Sequence, residues 1–217
     1  MTKPAPLRHA LACFLLATTP LAAFAVETET EPAAAPAAAK PAPAKRAEPQ
    51  TIALAEGALA IKAPAAWKQV EPRNRIIEVE LVVPPPADDQ ALAELEPARL
   101  TVMPAGGSVE QNIARWIGQF RGAGGGAVRE QAKIEELEVR GMQVHTVEIA
   151  GTYLDAPRGP FGPTEEKPEH RLLGAIVLSK DAGNYFIKMT GPDAVVAAAR
   201  PEFVELVGSI TKQKPAG

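Results

Sequence analysis

Cysteine is all but missing from this chain. The 217 residues hold one, Cys13, and it lies inside an N-terminal apolar run. Once that run is removed, the remainder can form no disulfide and offers no thiol nucleophile and no thiolate metal ligand, although an exported compartment would permit disulfides. Histidine is nearly as scarce, with only His145 and His170 beyond the first 25 residues. Two isolated histidines fall short of the three or four ligands that a zinc site draws together. No basic run stands out, and the formal charge of −3 becomes −5 without Lys3 and Arg8. That argues against nonspecific nucleic-acid binding, which rests mainly on neutralising phosphates. No apolar stretch after residue 24 approaches the ~20 residues of a spanning helix. None of the domain serines Ser108, Ser179 and Ser209 stands in a G-x-S-x-G turn. No enzyme activity is expected from these motifs, and no cofactor.

What is present begins with an export pattern. Lys3, Arg8 and His9 precede an apolar run from Ala10 to Phe24, and Ala23-Phe24-Ala25 gives an A-x-A cleavage site. The expectation is a signal peptide over 1–25, cleaved after Ala25, and a periplasmic or secreted protein. Cys13 sits within the run, not after it, so a lipoprotein signal is not the reading. Residues 26–50 are low in complexity, with prolines at 32, 36, 41, 43 and 49 interrupting the alanines. They read as an extended tether. A single domain over 51–212 follows, large enough at about 160 residues to bury its own core. The tail 213–217 is expected to be disordered.

Within the domain, apolar alternation marks the strands. Ile52 and Leu54, then Leu59 and Ile61, flank Glu56-Gly57 as a hairpin. Ile77, Val79, Leu81 and Val83 alternate with Glu78 and Glu80, which predicts a strand with one wet face. Ala87 to Pro97 reads as an exposed loop with one helical turn, and Leu100 with Val102 as the next strand. The stretch GGSVEQNIARWIGQF, Gly106 to Phe120, predicts an amphipathic helix. Ser108 and Gln111 form its capping box and Gly122 its left-handed stop. Leu137 to Val139 and Met142 to Ile149 make a hairpin across Arg140-Gly141. A slip in apolar phase between Val144 and Val147 suggests a bulge near His145 or Thr146. Asp155 to His170 reads as a long loop, Leu172 to Leu178 and Tyr185 to Met189 as a hairpin. Two C-terminal helical pieces meet near Pro201. Hairpin-length connections favour an α+β domain, with a mainly antiparallel twisted sheet packed by two helices.

The Gly106 to Phe120 run, with GTY at Gly151 to Tyr153, LLGAIV at Leu172 to Val177, YFIKMTGP at Tyr185 to Pro192 and the closing Phe203 to Ile210, resembles a group of uncharacterised secreted bacterial proteins. The layout of an early Pro/Trp turn and a terminal helix also resembles the PsbP-like fold. That second resemblance implies an antiparallel sheet between helices and a binding or assembly module, not an enzyme. Neither resemblance supplies catalytic residues.

Gly122 to Ala127 fits G-x-G-x-x-A literally, but it closes a helix and precedes a strand, so a phosphate would meet the wrong helix end. The polar pattern of most interest lies on the helix itself. Asn112, Arg115 and Gln119 fall within an arc of roughly 60° beside Trp116. They either fix the helix on the sheet or form a recognition stripe with Trp116. Gly118 and Ala114 form a small flank that a neighbour could approach closely. The function expected is an exported, non-catalytic binding or scaffolding domain of the bacterial envelope, with an envelope protein or small ligand as partner and no nucleic acid. The alternative is a hydrolase, or a carrier of a small ligand or metal, using the 155–170 loop.

Overall fold

The computed structural model describes residues 47–122, 126, 128–156 and 162–213. The expected signal peptide, the tether up to residue 46, residues 157–161 of the long loop and the tail from 214 lie outside the described residues.

In chain order the elements are β1 (Gln50–Leu54), a single 3-10 turn (Ala55–Gly57), β2 (Leu59–Ala63), β3 (Lys68–Val70), β4 (Val79–Val83), β5 (Ala98–Ala105) and helix α1 (Val109–Ile117). There follow β6 (Phe120–Arg121), β7 (Lys133–Val139), β8 (Met142–Asp155), β9 (Glu165–Leu178), β10 (Asn184–Pro192), α2 (Asp193–Ala198), α3 (Arg200–Gly208) and β11 (Thr211–Lys212). The main sheet has eight strands in the order β3-β4-β5-β10-β9-β8-β6, and β7 pairs with the other end of β8. Every strand pairing is antiparallel. A second sheet, β1-β2-β11, accompanies it. The fold is therefore α+β with an antiparallel main sheet. The small sheet is an addition that periodicity alone could not separate, because alternation reports a strand's faces and not its neighbours.

Period-2 alternation puts successive side chains on opposite faces. On one face Leu81, Leu100, Val144, Leu173, Val177, Ile187 and Met189 pack with Leu54, Leu59 and Ile61 of the small sheet and with Val195, Phe203 and Leu206 of α2 and α3. On the other face Val147, Ile149, Leu172, Ile176 and Phe186 pack with Ile113, Trp116 and Ile117 of α1. Each helical region thus takes its own face. Gly174 is required beneath α1, because a Cβ there would overlap the six-membered ring of Trp116. Trp116 also meets Phe186 edge to face, with ring centroids 5.3 Å apart.

Several local expectations are corrected. The capping box of α1 is present, with the Gln111 amide donating to Ser108 Oγ at 3.2 Å. The helix, however, stops at Ile117 with Gly118 in a right-handed conformation (φ −64°), and Gly122 is not left-handed. Phe120, read as a helical residue, belongs to β6, which pairs with Tyr153 and Thr152 of β8. The pull of that sheet edge ends the helix a turn early. No bulge occurs at His145 or Thr146; β8 pairs regularly there, and its irregularity falls between Gly151 and Tyr153. The apolar phase slips because this strand is buried on both sides, Val144 on one face and Val147 on the other. The long loop is mostly sheet, since β8 runs to Asp155 and β9 starts at Glu165. Pro168 lies within β9 without stopping it. Arg140 and Gly141 do turn the β7–β8 hairpin, both with positive φ (50° and 77°), as a tight two-residue turn requires.

Candidate functional site

Helix α1 covers the second face of the main sheet over β8, β9 and part of β10. Toward β4 and β5 that face turns polar. Glu80, Thr101 and Lys188 share one cross-strand row, because Glu80 pairs with Thr101 and Thr101 with Lys188. Arg99 and Thr190 are paired in a neighbouring row. Tyr153, Asp155, Lys167 and His170, from the far ends of β8 and β9, close the other side. Together with Arg73, Glu96 and Met103 they enclose a cleft of ≈ 240 Å³.

Glu80 was expected on a wet face, but it is 2% exposed. Its carboxylate accepts Arg99 Nε at 2.7 Å and Arg99 Nη2 at 3.0 Å, and it also accepts the Arg73 amide at 3.0 Å. The Arg99 hydrogen bonds are the main reason its pKa is lowered; burial opposes them, and the charges of Arg99 and Arg73 assist. A buried carboxylate so paired stays ionised and fixes the guanidinium plane at the cleft floor.

Lys188 is differently placed. It stands in a central strand, half-buried, its stem enclosed by protein and its Nζ turned toward the cleft. Nζ donates to Gln119 Oε1 at 2.8 Å and lies 5.4 Å from the Tyr153 ring centroid. No carboxylate lies within ion-pair distance of it among the described residues. Burial pushes its pKa down to about 8, helped by the charges of Arg99 and Arg115 and resisted only by Asp155. Asp155 itself is occupied by Lys167 at 3.1 Å. Tyr153 has its pKa raised by burial and by Asp155, so the phenol stays protonated as a donor. Its ring stacks on His170, whose Nδ1 lies 2.8 Å from the Pro168 carbonyl oxygen.

The four residues of the expected stripe are not equivalent. Trp116 is 3% exposed, buried against Gly174 and Phe186, so it presents no surface. Asn112 is buried, donating to the Gly106 and Ser108 carbonyls at 2.8 Å each. Arg115 is exposed; its Nη2 donates to Asn112 Oδ1 at 2.7 Å and its guanidinium lies over Phe186. Gln119 alone of the four reaches the cleft, through Lys188. The Gln119 carbonyl also accepts the Leu154 amide at 2.8 Å, which pins the helix end to β8. The small flank is solvent-exposed, and a side chain at Gly118 would meet only the Ala114 and Arg115 carbonyls of its own helix.

The acids of the expected loop are dispersed by strand alternation. Asp155 and Lys167 face the cleft, whereas Glu166 pairs with Arg121 at 2.5 Å. Among the described residues no three His, Cys, Asp or Glu side chains converge as metal ligands. Arg158 and Phe161 of that loop lie outside the described residues. The serine hydroxyls serve the backbone: Ser108 caps α1, Ser179 accepts the Ala182 amide and Ser209 accepts the Lys62 amide. An apolar groove of ≈ 360 Å³ runs between α3 and β7–β8 on the other side of the sheet, past Leu137, Val204 and Val207. It is larger than the cleft, and its charged lining, Lys133, Glu135, Glu148 and Arg200, includes the Arg200–Glu148 ion pair at 3.2 Å.

Sequence reasoning missed Lys188, Arg99, Glu80 and Tyr153 as a set. A signal existed: in YFIKMTGP a lysine occupies the same face as Phe186, inside an otherwise apolar strand. Its meaning depended on β10 being central, which no spacing reveals.

No protein-family model and no curated protein matches the chain, so the likeness to a group of secreted proteins has no matching model behind it. Among solved structures the chain is similar to the cyanobacterial PsbP of Synechocystis (11% identity, 77% of this chain and 94% of that one, TM-score 0.45). It is also similar to protein PA94 of Pseudomonas aeruginosa, of unknown function and a possible regulator by its description (11%, 77% and 99%, 0.41). A third is the Ran-binding protein Mog1p of Saccharomyces cerevisiae (11%, 76% and 95%, 0.43). No helix among the described residues is long and apolar enough to cross a membrane.

Proposed function

We propose that this chain is an exported domain of the bacterial envelope that binds a ligand without converting it, and that the polar cleft beside α1 is its binding surface. The observation that carries this reading is Lys188. A central-strand lysine held in a concave site without a carboxylate partner carries a desolvation cost that folding alone does not require. Residues kept against stability at a cleft are the usual mark of a site. The basic, apolar and A-x-A segments at the N-terminus support export, and the Pro/Ala run after them supports projection on a tether.

The reading is tested on the isotope-labelled chain by mapping amide shifts on addition of the small-molecule fraction of an envelope extract. Shifts clustering at Thr101, Tyr153, Lys188 and Thr190 are expected. Shifts confined to the groove between α3 and β7–β8, or none at all, would overturn the cleft as the binding surface. Export is tested separately, by sequencing the N-terminus of the protein recovered from cells: Val26 is expected, and retention of Met1 in the cytoplasm would refute it.

A further inference from the structure

We infer that the cleft takes a small monoanion, of the carboxylate kind, whose oxygens pair with Lys188 Nζ at the cleft floor while the rest of the molecule lies along Met103 and Tyr153. This rests on the cleft being the binding surface and adds the chemistry of the ligand.

The argument is one of charge and donors. Arg73, Arg99, Lys167 and Lys188 line the cleft with Glu96 and Asp155, and with Glu80 paired to Arg99 these groups carry one positive charge in excess. The chain as a whole is acidic, so this is a local inversion of sign. Two of the three carboxylates are already paired, Glu80 with Arg99 and Arg73 and Asp155 with Lys167. Among the described residues the partners of Lys188 Nζ are neutral, the Gln119 amide oxygen and the Tyr153 ring. An entering oxyanion would give it the charged partner the fold withholds, in a concave site where such a pair is stronger than in water. Its lowered pKa agrees, since an anion would restore the charged form. A single excess charge matches a monoanion better than a dianion, and the Arg99 Nε and Nη2 donors are already held by Glu80.

The test uses the full chain and defined probes: sodium acetate, sodium phosphate at pH 8 and methylammonium chloride, at equal ionic strength. The side-chain resonances of Lys188 and the amides of Thr101 and Thr190 are followed. Acetate is expected to shift them saturably and to raise the Lys188 titration midpoint, with dianionic phosphate weaker and methylammonium inert. Lys188→Met is expected to weaken acetate binding roughly 10- to 100-fold, the loss of one charged hydrogen bond, and Lys188→Arg to retain part of it. Unchanged acetate binding in a folded Lys188→Met variant, or methylammonium binding where acetate does not, would overturn the inference. If phosphate binds more tightly than acetate, the monoanion assignment falls. Silence toward all three probes, with the extract still shifting the cleft, would sink the anion and leave the binding surface standing.

Discussion

On β10, Tyr185, Ile187 and Met189 point to one face of the main sheet, while Phe186, Lys188 and Thr190 point to the other. The first set is closed in by the small sheet and by α2 and α3, and Ile187 and Met189 are fully buried. The second set begins under α1 with Phe186 and ends in the cleft with a half-buried lysine and threonine. The same alternation of residues thus builds a dry face and a face that is dry at one end and polar at the other. Complete cover is what folding needs; where cover stops and charged groups are held in place, another demand on the sequence shows.

The comparison can be broken most severely on the dry face. Leu100→Ala removes a fully buried side chain in the middle of that core. A loss of about 2–5 kcal/mol is expected in denaturant unfolding. A loss under 1 kcal/mol would mean that this core is looser than its packing implies.

On the polar face the next largest effect falls on Glu80→Gln, which leaves Arg99 without its charged partner and costs about 1–3 kcal/mol at pH 7. Because the Glu80 pKa is held below its ordinary value, its contribution is present above pH ~4.5 and is lost as pH falls through the lowered pKa. The variant should therefore show a shallower acid limb than the wild type in a stability profile. Parallel limbs would contradict the pairing.

Lys188→Met acts in the opposite direction. With the folded pKa at about 8, the unfolded chain binds more protons between about pH 8 and 10.5, so wild-type stability rises with pH across that window. The variant should lack this slope and be at least as stable as the wild type at pH 7. A variant markedly less stable at pH 7 would make Lys188 a structural residue. The smallest effect is expected at Gly118→Ala, an exposed right-handed position where stability should rise by about 0.4–1 kcal/mol. A loss instead, or an altered oligomeric state, would restore the close neighbour that the small flank suggested.

The helix α1, its capping box and the hairpins were legible in the sequence because each is written in local spacing: Ser108 to Gln111, Arg140-Gly141, the alternation of Ile52 to Ile61. Errors arose where a distant partner overrode local pattern. Phe120 fits the helix stripe, yet pairing with Tyr153 draws it into a strand. Val144 and Val147 look like a slip, yet both faces of β8 are covered. Glu165 to His170 looks like a loop of acids and prolines, yet the long β8 supplies a ladder for it.

For the candidate site the division is sharper. Helical spacing put Asn112, Arg115, Trp116 and Gln119 on one border, but α1 ends at Ile117, and only the sheet beneath showed that Trp116 is core and that Gln119, beyond the helix, reaches a lysine. The amino-acid order by itself determined the two-face alternation of the strands and the start of α1, because each depends on residues within a few positions of one another. Strand order was decided by tertiary structure alone. It set Glu80, Thr101 and Lys188 in one row from three distant segments, and so it alone could make a cleft of them.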